Sequence, residues 1–334
     1  MANRRKLQNR LAALLAQYDK EIRDAFLTAV RNKAASINVK ELADAIEARD
    51  LNRALNIAGI TRADLFPFYT RINAAYVAGG QTVPAAAPAF AASFGFDGRA
   101  TRAAEWARSH VGGLVTNIVD EQLDMLRETI AEQVASGEAP RSVAVRIAGP
   151  VQGRTRQGGI IGLSRAQKGY LDNARRELSE LDAGYFTREL RDRRFDGLVR
   201  KAIRDGKPLS QADLDRIAGR YSDRMLKHRA DTIARTESIT ALRAGRREGI
   251  QQGIEAGAIR EERIKRVWSA TLDSRTRPDH AIMNGQEVDG MEAPFTLPDG
   301  SRMRYPGDQS LGAPASQVVN CRCYDEYIVD FLRP

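Results

Sequence analysis

The chain has 334 residues, with 52 Lys+Arg against 43 Asp+Glu and a formal net charge of +9. At 43% hydrophobic and 28% charged residues it reads as a globular chain of about two domains, and not as a collagen-like or wholly disordered one. Two cysteines, Cys321 and Cys323, exclude a disulfide-rich secreted scaffold, and the start MANRRKLQNR is no apolar signal segment, so synthesis in a cytoplasm is expected.

Helical periodicity dominates the first two-thirds. Leu7, Leu11, Leu14, Tyr18, Ile22, Phe26 and Val30 mark one buried helix face, and Leu42 with Ile46 a second, shorter helix. Pro67 is expected to interrupt the next pattern, which resumes at Tyr69, Ile72 and Tyr76. Residues 72–96 carry no charge but hold Gly79, Gly80, Pro84 and Pro88. They read as a flexible Ala/Pro linker, with a membrane-interacting segment as the alternative.

A strong amphipathic run then spans Leu114 to Val134. Gly137 closes it, and Pro140 is placed to open the next helix. Ser164 and Gln167 have capping-box spacing. Ser210 and Asp213 start a long helix running toward Ile250. After about residue 260, Val267–Ala270 looks like a strand, and turn signals follow at Asn284-Gly285, Asp289-Gly290, Asp299-Gly300 and Pro306-Gly307. Val318, Val319, Tyr324, Tyr327, Ile328 and Val329 suggest a closing strand or strand pair. The expected fold is a mainly α N-terminal region followed by a small α+β C-terminal domain. Its expected divisions are a helical region at 1–80, an Ala/Pro/Gly-rich linker at 81–100, a helical domain at 101–225 and the α+β domain at 226–334.

The charge is local. Residues 141–204 hold 15 Lys+Arg against 7 Asp+Glu, a net +8, and the remainder of the chain is nearly neutral. Arg154, Arg156, Arg175, Arg176, Arg191, Arg193 and Arg194 are the candidate contacts. Clustered guanidinium groups suit phosphate neutralisation, and Gly153, Gly158, Gly159 and Gly162 would let a backbone approach phosphates. Docking on an acidic protein surface requires the same composition, as does a solvated helix face, and all three readings stay open.

The C-terminal part groups its less common residues. His280, Cys321 and Cys323 offer three soft ligands to zinc, with an Asp or water as the fourth. The alternatives are a reduced thiol pair packed in the core and a redox-sensitive pair. Arg275 and Arg277 read as partners of Asp273 or Asp279, or as an anion site. Glu237 could serve as a catalytic carboxylate, but its helical context favours a structural ion pair with Arg235 or a neighbouring turn. Hydrolytic catalysis has little support: the chain has no G-x-S-x-G, H-E-x-x-H or Walker A pattern.

Together, HRADTIARTESITALRAGRREG, KRVWSATLDSRTRPDHAIMNGQEV, FTLPDGSRMRYPGD and VVNCRC, over residues 226–326, resemble the phage Mu F-like domain of the phage head morphogenesis, or minor head protein, family. The motif positions are Arg235, Glu237, Trp268, Asp273, Arg275, Arg277, His280, Asn320, Cys321 and Cys323. The resemblance implies structural or metal-related roles for them and no catalytic set. It implies a non-enzymatic minor head protein of a tailed phage or prophage, located in the head interior or at the portal vertex. Portal protein and other head proteins would be its partners, with double-stranded DNA a further candidate and membrane contact not expected. The family also occurs fused to toxin domains, and with eleven residues left after Cys323 no such domain is expected to follow here. Two alternatives remain: a metal-assisted hydrolase or nucleotide-handling enzyme built on the His/Cys cluster, and an ejected protein that meets the host membrane.

Overall fold

The computed structural model describes residues 2–83, 95–153 and 155–329. It has the expected character, helical first and α+β at the end. Two compact units are each assembled from discontinuous stretches. One takes residues 24–68 and 112–230, the other 1–23, 69–111 and 231–334. Helix α1 (Ala2–Ser36) contributes to both, and its periodic face is buried at Ile22, Phe26 and Val30.

In the unit containing residues 112–230, α2 (Val39–Glu47) and α3 (Leu51–Ala58) each begin at a side-chain cap. Asn38 Oδ1 accepts from the Lys40 and Glu41 amides, and Asp50 Oδ1 accepts from Arg53 N. Each cap satisfies an amide that the helix itself leaves without a partner. Phe26 meets Phe68 edge to face, with ring centroids 5.5 Å apart. Burial of each such ring contributes about 1.5–3 kcal/mol.

Later helices of this unit are α6 (Gly112–Ser136), α7 (Pro140–Ala148), α8 (Arg165–Ser179) and α9 (Asp196–Asp205). Gly137 and Pro140 act as the sequence suggests: Gly137 has φ 71°, and Pro140 opens α7. The Ser164 capping box is complete, with Gln167 N donating to Ser164 Oγ and Ser164 N to Gln167 Oε1. A short hairpin of β1 (Val151–Gln152) and β2 (Thr155–Arg156) was not legible in the Gly/Arg-rich sequence.

The glycines beside that hairpin serve packing inside the chain. A Cβ on Gly158 would lie 2.5 Å from Gly219 Cα, and one on Gly159 would lie 2.5 Å from Ile147 O. Gly158 N donates to Asp223 Oδ1 at 2.8 Å, so the open backbone there already holds a carboxylate.

Helix α4 (Phe66–Gly80), which like α1 contributes to both units, corrects two expectations. Pro67 lies in the first turn, where its missing N–H costs nothing, so it starts the helix and does not interrupt it. Residues 72–80 are helical and not linker. Residues 84–94 of the Ala/Pro segment lie outside the described residues. No helix among the described residues is long and apolar enough to cross a membrane.

The glycines of α4 have a packing cause. A Cβ on Gly79 would stand 2.1 Å from Leu242 O, and one on Gly245 would stand 1.8 Å from Tyr76 O. Helix α10 (Gln211–Glu255) therefore meets α4 backbone to backbone. Helix α5 (Thr101–Trp106) runs into a π-helical turn, Ala107–Val111, and Arg102 holds the buried Glu248 of α10 through two 3.0 Å hydrogen bonds.

The α+β part centres on an antiparallel sheet ordered β4-β3-β7: β3 (Ile264–Ser269) in the middle, flanked by β4 (Glu287–Asp289) and β7 (Tyr324–Val329). Trp268 pairs with Asp325, and Val267 with Glu287 on the other side. A separate ladder joins β5 (Phe295–Thr296) to β6 (Arg302–Met303). Trp268, Met283, Phe295, Leu297, Met303 and Val318 form the core under these strands. The closing strand is shorter than expected. Val318 ends a one-turn helix, α12 (Ala315–Val318), and the NCRC motif is the loop between that helix and β7.

Candidate metal-ligating site and the arginine-held loops

The structure brings together the three soft ligands that lie 41 and 43 residues apart in sequence. Pro278 opens the one-turn helix α11 (Pro278–Ile282), which carries His280. Asn320 takes φ 57°, a left-handed conformation that Asn tolerates, and so turns the chain from α12 into the Cys321–Cys323 stretch. Both sulfurs face one imidazole nitrogen: His280 Nδ1 is 3.6 Å from Cys321 Sγ and 3.4 Å from Cys323 Sγ. All three residues are buried, at 1–3% exposure.

The network fixes which nitrogen carries the ring proton. Gln317 Nε2 donates to Asp279 Oδ2 at 2.8 Å and to Asp299 Oδ2 at 2.7 Å. Two carboxylates on one end of an amide identify that end as the NH2 group. The other end, Oε1, is an acceptor and lies 3.0 Å from His280 Nε2. Nε2 therefore bears the hydrogen of the neutral ring, and the Nδ1 lone pair faces the sulfurs. Trp268 stands edge to face against the ring at 5.4 Å.

Charge in the pair is shared unequally. The hydrogen bond from Cys323 pushes the Cys321 thiol well down, and the Arg243 guanidinium adds to the effect. Cys323 is pushed up by that same hydrogen bond and by burial.

Around this cluster the motif residues act as ties. Asp273 receives both arms of Arg322 at 2.5 Å, and Arg275 donates its amide to the same carboxylate at 2.9 Å. Arg277 donates to Val319 O, and Asn320 N to Thr236 Oγ1 at 3.2 Å. Arg322 holds the Asp273 carboxyl well below its ordinary range. Glu237 departs from the expectation: it pairs with His110 Nε2 at 2.8 Å and not with Arg235. The π-helical turn positions that imidazole, which stacks on Trp106 at 5.0 Å, and Trp106 in turn stacks on Tyr76 at 4.4 Å.

Four further arginines were not singled out in the sequence. Arg243 donates to Pro306 O at 2.6 Å, Arg246 to Asp325 O at 3.0 Å and Arg247 to Met291 O at 2.5 Å, all from α10. Arg266, fully buried on β3, donates to the carbonyls of Gly290, Ala293 and Arg304 and lies over the Phe295 ring. One planar donor set thereby satisfies loop carbonyls that no strand partner reaches. The ALRAGRR spacing places Arg243, Arg246 and Arg247 within about one helical turn, which was the available signal.

Most candidate arginines of the basic segment already have intrachain partners. Arg156 donates to Gly149 O, Arg175 to Asp215, Arg176 to Glu180, Arg191 to Asp196 and Arg194 to Asp192. The Asp192 carboxyl is held down at about 2, chiefly by Arg194. Arg193 is exposed, and Arg154 lies outside the described residues.

Residues 195–325 match the family model described as Phage Mu protein F like protein. The resemblance read from the motifs holds, and the match begins earlier than residue 226, so that it includes α9 and the start of α10. Among curated proteins the chain is similar to Minor head protein GP7 of Bacillus phage SPP1, with 31% identity over 102 residues, 30% of each chain. It is also similar to NAD(+)--arginine ADP-ribosyltransferase EFV of Enterococcus faecalis, with 35% identity over 102 residues, 30% of this chain and 19% of that protein. The chain thus spans less than a third of either relative's length. No solved structure gives a significant match.

Proposed function

We propose that this protein is a minor structural head protein of a tailed phage or prophage that acts in head morphogenesis at the portal vertex. The observation that carries the proposal is the Mu F-like match over residues 195–325, in which the motif residues serve as structural ties. The similarity to a minor head protein supports it. The transferase similarity covers a fifth of that enzyme, so its named reaction is not carried over to this chain. In this reading the protein is not an enzyme, and α10 with its arginines is the rigid mount of the C-terminal module.

The basic segment is assigned to protein docking. Arg175, Arg191 and Arg194 are engaged by carboxylates of the same chain, which leaves fewer cations to replace counterions on a phosphate backbone. Contact with DNA is the second reading. A hollow of about 510 Å³ gathers Arg194, Arg216 and Arg220 for it, although Asp215 shares the lining and Arg194 and Arg216 are paired with Asp192 and Asp213.

A parallel pull-down of portal protein and of duplex DNA separates the two. Protein docking requires portal capture that tolerates moderate salt. DNA contact requires affinity that falls steeply with salt and weakens on neutralising Arg194, Arg216 and Arg220. Capture of neither would count against the portal assignment.

A further inference from the structure

We infer that His280 Nδ1, Cys321 Sγ and Cys323 Sγ form a zinc site, with Gln317 as the group that orients its histidine. The inference stands independently of the head-protein reading.

The distances carry it. With Zn–S of about 2.3 Å and Zn–N of about 2.0–2.1 Å, a tetrahedral site has sulfur–nitrogen edges of about 3.6 Å. The two such edges here are 3.6 and 3.4 Å, and all three ligand atoms lie within 4.8 Å of one another. A metal ion at the common centre satisfies all three atoms at once.

The surroundings have the form expected around a metal-bound histidine. Such a ring donates its remote N–H to an acceptor that is itself held in place. Here Nε2–H donates to Gln317 Oε1, and Asp279 and Asp299 hold the amide. A soft donor set of two sulfurs and one nitrogen favours zinc over magnesium or calcium. No fourth His, Cys, Asp or Glu joins the three among the described residues, which leaves one coordination position for solvent. Binding would fix the NCRC loop to α11, and with it the start of β7.

The test uses the full-length protein purified reduced and without chelators. Metal analysis is expected to give close to one zinc per chain. Replacement by Co(II) is expected to give sulfur-to-cobalt charge transfer in the near ultraviolet and tetrahedral d–d bands in the visible, and both are lost in Cys321→Ser. Because that variant could simply unfold, Gln317→Leu is the second arm. It keeps every ligand and is expected to bind Zn(II) about 10- to 100-fold more weakly. A metal-free protein with both thiols reduced and no Co(II) bands would overturn the site. Unchanged zinc affinity in Gln317→Leu would overturn the orienting role.

Discussion

Arg322 and Asp273 face each other through two hydrogen bonds of 2.5 Å across 49 residues of sequence. The pair joins the LDSRTRPDH segment to NCRC, so two motifs that read as separate are one object in space. It also has a pH signature. The Asp273 carboxyl is depressed from an ordinary value of 3.8, first by Arg322 and then by the Arg275 amide. A depressed carboxylate contributes stability above its unfolded pKa and loses it as pH falls through the folded one. The melting-temperature gap between wild type and Asp273→Asn is therefore expected to be full above about pH 5 and to shrink steadily below about pH 4. A gap that stays constant down to about pH 2 would contradict the assignment.

Gly245 and Gly169 are both helical glycines, with opposite expectations. A methyl group on Gly245 meets Tyr76 O at 1.8 Å, a backbone atom that cannot swing away. Gly245→Ala is expected to destabilise by about 1–3 kcal/mol or more, as overpacking does. Gly169, inside α8, has nothing within 4 Å of its Cβ position. Gly169→Ala is expected to stabilise by about 0.5–1 kcal/mol from helix propensity alone. Urea titrations of the two variants check both signs.

Arg266 tests the role of buried arginine. Replacing it with Met strips a donor from three loop carbonyls, at a cost of about 3–5 kcal/mol. Lys is not expected to rescue, since a single ammonium cannot reproduce the planar fork. Hydrogen exchange at the amides of residues 264–269 reads the effect locally. Full protection in Arg266→Lys would show that charge alone suffices.

Sequence made the helices legible because their periodicity and punctuation are local. Ser164 and Gly137 act through neighbours within a few residues. The His280, Cys321 and Cys323 grouping was legible by residue type, since few other side chains in the chain suit a soft metal. Pro67 was misread because a proline that breaks a helix and one that starts it look alike until the first turn is placed. For Glu237 the sequence offers Arg235 or a neighbouring turn as partner, whereas its partner is His110, 127 residues away. The roles of Arg243, Arg246 and Arg266 were hidden for a related reason: their acceptors are backbone carbonyls, which have no sequence signature. Gly79 looked like linker because composition does not separate a flexible glycine from one pressed against another backbone.

Ser164 offers a smaller test. Ser164→Ala removes one half of the capping box of α8 and is expected to cost about 1 kcal/mol, with Ser164→Asp near neutral. Thermal denaturation of the three proteins orders them. Equal stability of wild type and the Ala variant would show that the cap contributes little in this setting.

The head-protein role is tested most directly by deleting the gene from its phage or prophage and comparing particle yield and infectivity. The account expects heads to form with reduced infectivity, restored by the wild-type protein supplied in trans. Particles of normal number, normal composition and full infectivity without the protein would contradict it.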